Sequence, residues 1–257
     1  MLTPPEIARS LLAVGESKAR LPFGKMLLLA ILAGAYIALA GVGATAAAVT
    51  VESGSLAKLL SACVFPAGLS MVILAGSELF TGNCLMVMAL LERRITPVQL
   101  LRNWLTVYLG NAVGGAAVAA LAVYSHTASL FGDGLARSMV SIAESKAALG
   151  AGDAFLRGVL CNFLVCLAVW MAAASKRAEG KVIALFFPIL LFVLCGYEHC
   201  IANLYYLPAG AFAAAEYGVE TTLTLAGCLE NLAAVTLGNL VGGAALGGGY
   251  RFAYLKE

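Results

Sequence analysis

Apolar residues in this chain come in long runs rather than in stripes. Residues 26–49, 59–91, 98–124, 154–174, 182–215 and 222–249 carry few or no charges and are separated by shorter polar segments. A helix needs about 20 apolar residues to cross a hydrocarbon layer roughly 30 Å thick, so each run reads as a membrane span. The 59–91 and 182–215 runs are interrupted in their middles by polar octets, Gly76-Ser-Glu-Leu-Phe-Thr-Gly-Asn83 and Gly196-Tyr-Glu-His-Cys-Ile-Ala-Asn203. Gly196 and Pro208 both oppose a continuous helix, so these two spans are expected to be broken. Ahead of the first run, residues 3–20 open with Thr3-Pro4-Pro5-Glu6, a capping box with proline at the first helical position. They predict an amphipathic helix lying in the membrane interface.

Composition agrees and narrows the class. With 61% hydrophobic and 12% charged residues, the chain lies far outside the soluble norm and is expected to be a polytopic membrane protein. A net charge of +2 without a basic run gives nucleic acid no handle. Seven cysteines without a C-x-x-C pair read as small buried hydrophobes. Cys195, His199 and Cys200 are too few to close a metal site, so no metal and no cofactor are expected. Without a nucleophile pair or metal cluster, a membrane enzyme is disfavoured.

The chain repeats itself. Residues 103–117 align without gaps on 231–245 with ten identities in fifteen, an offset of 128 that also pairs Leu32 with Leu160 and Leu39 with Leu167. An offset of 120 pairs the octets at Gly76/Gly196, Glu78/Glu198 and Asn83/Asn203. Three spans repeat, and three is odd, so the second half enters the membrane from the opposite side. This is the inverted-repeat plan with discontinuous helices at the midplane. Twelve Lys and Arg residues, Lys256 among them, fall on one side and four (Lys58, Arg137, Lys146, Arg157) on the other. The positive-inside rule then puts both termini in the cytoplasm and the chain in the inner membrane. The expected layout is one channel domain, 1–257. It comprises an N-terminal helix (1–25), a first repeat (26–124), an outer loop (125–153), an inverted second repeat (154–249) and a tail (250–257).

Each octet places ionisable groups at membrane depth, where they are costly and mark a passage or site. Glu78 and Glu198 are expected to cap the amides freed by the breaks. His199 is expected to be a titratable group facing a pore, one per chain. Gly110, Gly114 and Gly115, mirrored by Gly238, Gly242 and Gly243, suit close helix contacts in assembly.

At the octets, and over nearly its whole length, the sequence resembles the formate/nitrite transporter family. Residues 76–83 are similar to its first signature, and Gly196 to Gly210 to its second. The resemblance implies an aquaporin-like fold and a homopentamer with a pore in each protomer for small monovalent anions. The tail after Asn203 is similar to the formate and hydrosulfide branches, so formate is the expected substrate, with protons as its partner through proton sharing at His199, and hydrosulfide and nitrite as alternatives. An aquaporin-like channel for neutral solutes is the alternative of another class, disfavoured because the breaks lack Asn-Pro-Ala. Carried over residue by residue, His199 becomes the pore imidazole with Thr81 facing it. Phe65, Leu69, Leu79, Phe80 and Phe192 become the apolar constrictions, and Lys146 and Asn162 attract the anion.

Overall fold

The computed structural model describes residues 1–255; Lys256 and Glu257 lie outside the described residues. Among the described residues all regular structure is helical. The α-helices are α1 (Pro4–Ala19), α2 (Phe23–Ala48), α3 (Gly54–Val64), α4 (Pro66–Ala75), α5 (Phe80–Asn83), α6 (Val87–Leu91), α7 (Pro97–Tyr124), α8 (Gly134–Ala147), α9 (Ala151–Ala173), α10 (Ala178–Leu194), α11 (Cys200–Tyr217) and α12 (Leu225–Leu255). Five stretches, α2, α3 with α4, α7, α9 and α12, are long and apolar enough to cross a membrane. The sixth span is α10 followed, after a break, by α11. The chain is thus an all-α, six-span membrane protein with its second and fifth spans interrupted.

Both interruptions are made the same way. Gly76 and Gly196 sit at φ +78° and +69°, the left-handed region that glycine alone enters without strain. The next amide turns back, Ser77 N–H to the Val72 carbonyl and Tyr197 N–H to that of Phe192. Pro208 breaks nothing: it lies inside α11. Proline denies its fourth predecessor, Leu204, a helical hydrogen bond. That carbonyl faces Gly115 of α7, where a Cβ would come within 3.1 Å of it, so a glycine gives the displaced backbone room.

Paired glycines seat the long spans on one another. A Cβ on Gly114 would collide with the Ile31 carbonyl of α2, and one on Gly242 with the repeat-equivalent Val159 carbonyl of α9. Gly110 and Gly238 are similarly hemmed in by Ala30 and by the Phe155 carbonyl. These small-residue faces, expected to serve assembly, are therefore consumed inside the protomer, bringing α7 onto α2 and α12 onto α9.

Residues 125–153 are not simply a loop, because α8 lies within them and packs on α11, where Gly210 abuts Ala143. At the repeat offset of 128, α8 is the counterpart of α1. It is strapped down by Glu144, which accepts from Thr222 N–H at 2.6 Å and Thr221 Oγ1 at 2.9 Å; these bonds hold its carboxyl below the usual carboxylate range. α1 is likewise more than an interfacial helix. Its Ile7 and Ala8 are buried beside Met88 and Trp170, and Gly15 packs against Ala89. Leu2 N–H bonds the Ala174 carbonyl and Arg251 pairs with Glu92, so the N-terminal end, the α6–α7 junction and the end of α12 share one face, here called the terminal face. Lys58 and Lys146 lie towards the opposite, distal face.

Candidate functional site

The octets meet in the middle of the bundle. Leu79 and His199 are extended residues that cap α5 and α11, so the N-termini of two half-helices converge there. The repeat pairs these two positions, yet one is leucine and the other histidine. His199 Nδ1 accepts from the Ala202 N–H at 3.0 Å, and Nε2 lies 2.9 Å from Thr81 Oγ1. An amide N–H only donates, so Nδ1 carries no proton in this arrangement. The neutral ring then bears its hydrogen on Nε2, donates to Thr81, and leaves the threonine O–H free to donate elsewhere. Sequence reasoning anticipated both residues; the structure adds that the imidazole also caps its own helix.

Two cavities flank this contact and share no lining residue. One, of about 90 Å³, opens to the terminal face between α1 and the first octet; Leu11, Val14 and Lys18 roof it above Leu69, Ser77 and Leu79. The other, of about 130 Å³, opens distally and is lined by Thr45, Lys58, Ser61, Phe65, Lys146, Phe192, Glu198, His199 and Tyr206. Between them lies a buried apolar neck. Phe65 and Phe192 meet edge to face at 5.7 Å, and the Phe192 ring stacks on the His199 ring at 5.8 Å. Phe65, Phe192, Leu69 and Leu79 thus each border a cavity. Phe80 lines neither; it packs edge-on against Trp104 and Tyr108 of α7.

The glutamates are not where sequence put them. Glu78 and Glu198 take no loop amide. Glu78 accepts from Lys18 Nζ at 2.8 Å and Asn83 Nδ2 at 2.7 Å; Glu198 accepts from Lys146 Nζ at 2.9 Å on both oxygens and from Asn203 Nδ2 at 2.7 Å. Lys18 and Lys146 are themselves repeat partners at the offset of 128. A carboxylate only 8% exposed is poorly served by neutral donors alone, and in each half a lysine from a flanking helix supplies the opposite charge.

Of the freed loop amides, those of Phe80 and Cys200 go to Asn111 and Asn239, and those of Glu78 and Glu198 to the Leu29 and Arg157 carbonyls. Asn111 Oδ1 accepts from Phe80 N–H while its Nδ2 donates to the Ala30 and Glu78 carbonyls. Asn239 does the same for Cys200, Gly158 and Glu198. These residues stood in the matched fifteen-residue segment, and their recurrence was the signal that could have identified them. Asn162, expected on the anion path, is fully buried, donates to the Asn239 carbonyl at 2.7 Å, and borders neither cavity. It clamps α9 to α12.

Comparison with known proteins places this geometry. A family model described as formate/nitrite transporter matches residues 5–253. A probable formate transporter of Methanothermobacter thermautotrophicus is 39% identical over 99% of this chain and 98% of that protein. Among solved structures, a channel described as an FNT family ion channel superposes with a TM-score of 0.86 at 32% identity, covering 96% of this chain and 98% of that one. A pentameric formate channel with formate bound gives 0.81 at 32% identity, over 91% and 98%.

Proposed function

The chain belongs to the formate/nitrite transporter family, and from that premise we propose that it passes small monovalent weak-acid anions, formate foremost, through a pore in each protomer of a homopentamer. As a member it is a membrane transport protein rather than an enzyme. The solved pentameric relative with formate bound supports both the assembly and the substrate. The clustering of Lys18, Arg94 and Arg251 at the terminal face supports placing that face in the cytoplasm of an inner membrane.

The observation that carries the reading is the Thr81–His199 contact at the apolar neck between two cavities. A bare carboxylate entering such a neck faces an ideal desolvation cost of order 20 kcal/mol, still several kcal/mol after relaxation. Neutralising it requires one proton. The Thr81 hydroxyl hydrogen passes to the carboxylate oxygen and is replaced from His199 Nε2. The ring completes the exchange by taking a proton at Nδ1 from a hydronium ion, which leaves as water; this releases the Ala202 amide. One carboxylate and one proton have then combined, while the ring stays neutral with its hydrogen now on Nδ1. A single hydrogen bond is worth about 0.5–1.5 kcal/mol net, and protonating a carboxylate of ordinary pKa at neutral pH costs about 4 kcal/mol, together well below the ideal desolvation cost of the bare ion. The neutralised route therefore wins, and the weak acid crosses uncharged. Lys146, held by Glu198, serves this route by fixing the second octet in register.

The test is flux of formate, nitrite, hydrosulfide and glycerol into liposomes holding the full-length protein. His199→Asn keeps a polar side chain but cannot titrate. It is expected to lower formate flux at least tenfold near neutral pH and to flatten its pH dependence, with assembly unchanged. Wild-type formate flux and pH profile in that variant would refute proton sharing; glycerol flux without anion flux would refute the substrate class.

A further inference from the structure

We propose that Lys58 is the residue that draws the anion into the distal cavity of this protein. The inference rests on the anion-transport reading above.

Four observations carry it. Lys58 and Ser61 on α3 and Phe65 at its C-terminal cap follow one another at helical spacing, and all three line the distal cavity, so this face of α3 is turned to the passage rather than to lipid. Lys58, Thr45, Ser61 and Ile142 also line the shallower cavity beyond, towards Ser138 and Ser141 of α8, so Lys58 stands where the two join. Among the residues bordering these two cavities the one carboxylate is Glu198, and it is committed to Lys146. Lys58 has no ion-pair or hydrogen-bond partner among the described residues; the charges of Lys146, Glu198 and Arg157 all act at its position, with the attraction of Glu198 set against the repulsion of two cations.

The repeat supplies an independent argument. Lys18 and Lys146 obey it and do the same work in each half, each neutralising its octet glutamate. Position 58 maps at the octet offset of 120 to Ala178, so Lys58 has no counterpart. Lysine 146 is thus a matched structural cation, and Lys58 is the uncompensated charge at the distal mouth. A cleft with apolar walls focuses such a charge and raises the local anion concentration.

The experiment measures initial formate uptake against concentration in liposomes containing full-length wild type, Lys58→Met or Lys58→Arg, at ionic strengths of about 20 and 300 mM, where screening is weak and strong. Lys58→Met is expected to raise KM about three- to tenfold at low salt, with the maximal rate changing less and the gap closing at high salt. Lys58→Arg is expected to restore both the KM and its salt dependence, which a merely structural lysine would not require. Wild-type KM and salt dependence in Lys58→Met would overturn the proposal. If wild type carries nitrite or hydrosulfide but not formate, the substrate reading fails and the same comparison, made with that anion, decides on Lys58. If it carries no small anion, both readings fall.

Discussion

Removing the Lys146 amine while leaving Glu198 in place should cost far more stability than removing both charges. Glu198 is 8% and Lys146 15% exposed, and the ammonium lies 2.9 Å from each carboxylate oxygen. Breaking a buried pair from one side typically costs 3–5 kcal/mol, because an uncompensated charge remains. In Lys146→Met the carboxylate keeps the 2.7 Å bond from Asn203, so the lower end, about 3 kcal/mol, is expected. In Glu198→Gln the orphan is an ammonium beside a cavity with Thr45 and Ser61 in its wall and the Tyr206 ring 5.4 Å away, and about 1–2 kcal/mol is expected. The double variant removes both charges and should lose about 1–2 kcal/mol in all, leaving a coupling of roughly 3 kcal/mol. Unfolding of the four full-length proteins in mild detergent, followed by circular dichroism, closes the cycle. Additive single effects, with coupling below about 0.5 kcal/mol, would mean that the two groups do not hold each other, and the structural role given to Lys146 would fall.

Asn111→Leu and Asn239→Leu each strand one backbone N–H and one octet carbonyl and take the second bond from a helix carbonyl, and at about 1 kcal/mol or more per stranded group each should destabilise by roughly 2 kcal/mol and by similar amounts. The same unfolding measurement checks this, and a loss in only one of the two would contradict their equivalence. Gly242→Leu drives a side chain into the Val159 carbonyl of α9 and should abolish accumulation of folded protein, read as loss of the main peak in size-exclusion chromatography. A normal peak would show that α9 and α12 need not approach so closely.

How much of this was legible beforehand depended on how local each signal was. The spans and both breaks follow from runs of one character and from Gly76 and Gly196, whose backbone requirement is written at a single position. The inverted repeat was visible because Asn103 to Ala117 and Asn231 to Ala245 kept their spacing. The partners of Glu78 and Glu198 lie 60 and 52 residues away, at Lys18 and Lys146, in segments outside the spans whose match, Ala-Arg-Ser and Glu-Ser-Lys-Ala at 8–19 and again at 136–147, was not followed. The 128-residue spacing of those lysines was the available clue, and it would also have exposed α8 as the mate of α1. Pro208 misled because the helix-breaking rule is local, whereas the space that lets α11 continue is supplied by Gly115 on another helix. Asn162 misled in another way: the resemblance to the family assigns it to the anion path, whereas its bond goes to the Asn239 backbone.

The two halves, though built on one pattern, are unequal. After its break the first half continues for only twelve residues, Phe80–Leu91, with a 3₁₀ turn at Cys84–Met86 in its middle, whereas the second runs on for eighteen, and the leucine at 79 is answered by the imidazole at 199. A route so lopsided presents different affinities to a solute arriving from either face. Detailed balance nevertheless forbids such asymmetry from moving the resting distribution of a passively carried acid. With no voltage and no pH difference, the ratio of maximal rate to half-saturating concentration must be identical in both directions. Whatever tightness one mouth gains is therefore repaid as slower release towards the other, and the lopsided fold sets how quickly equilibrium is reached without choosing where it lies.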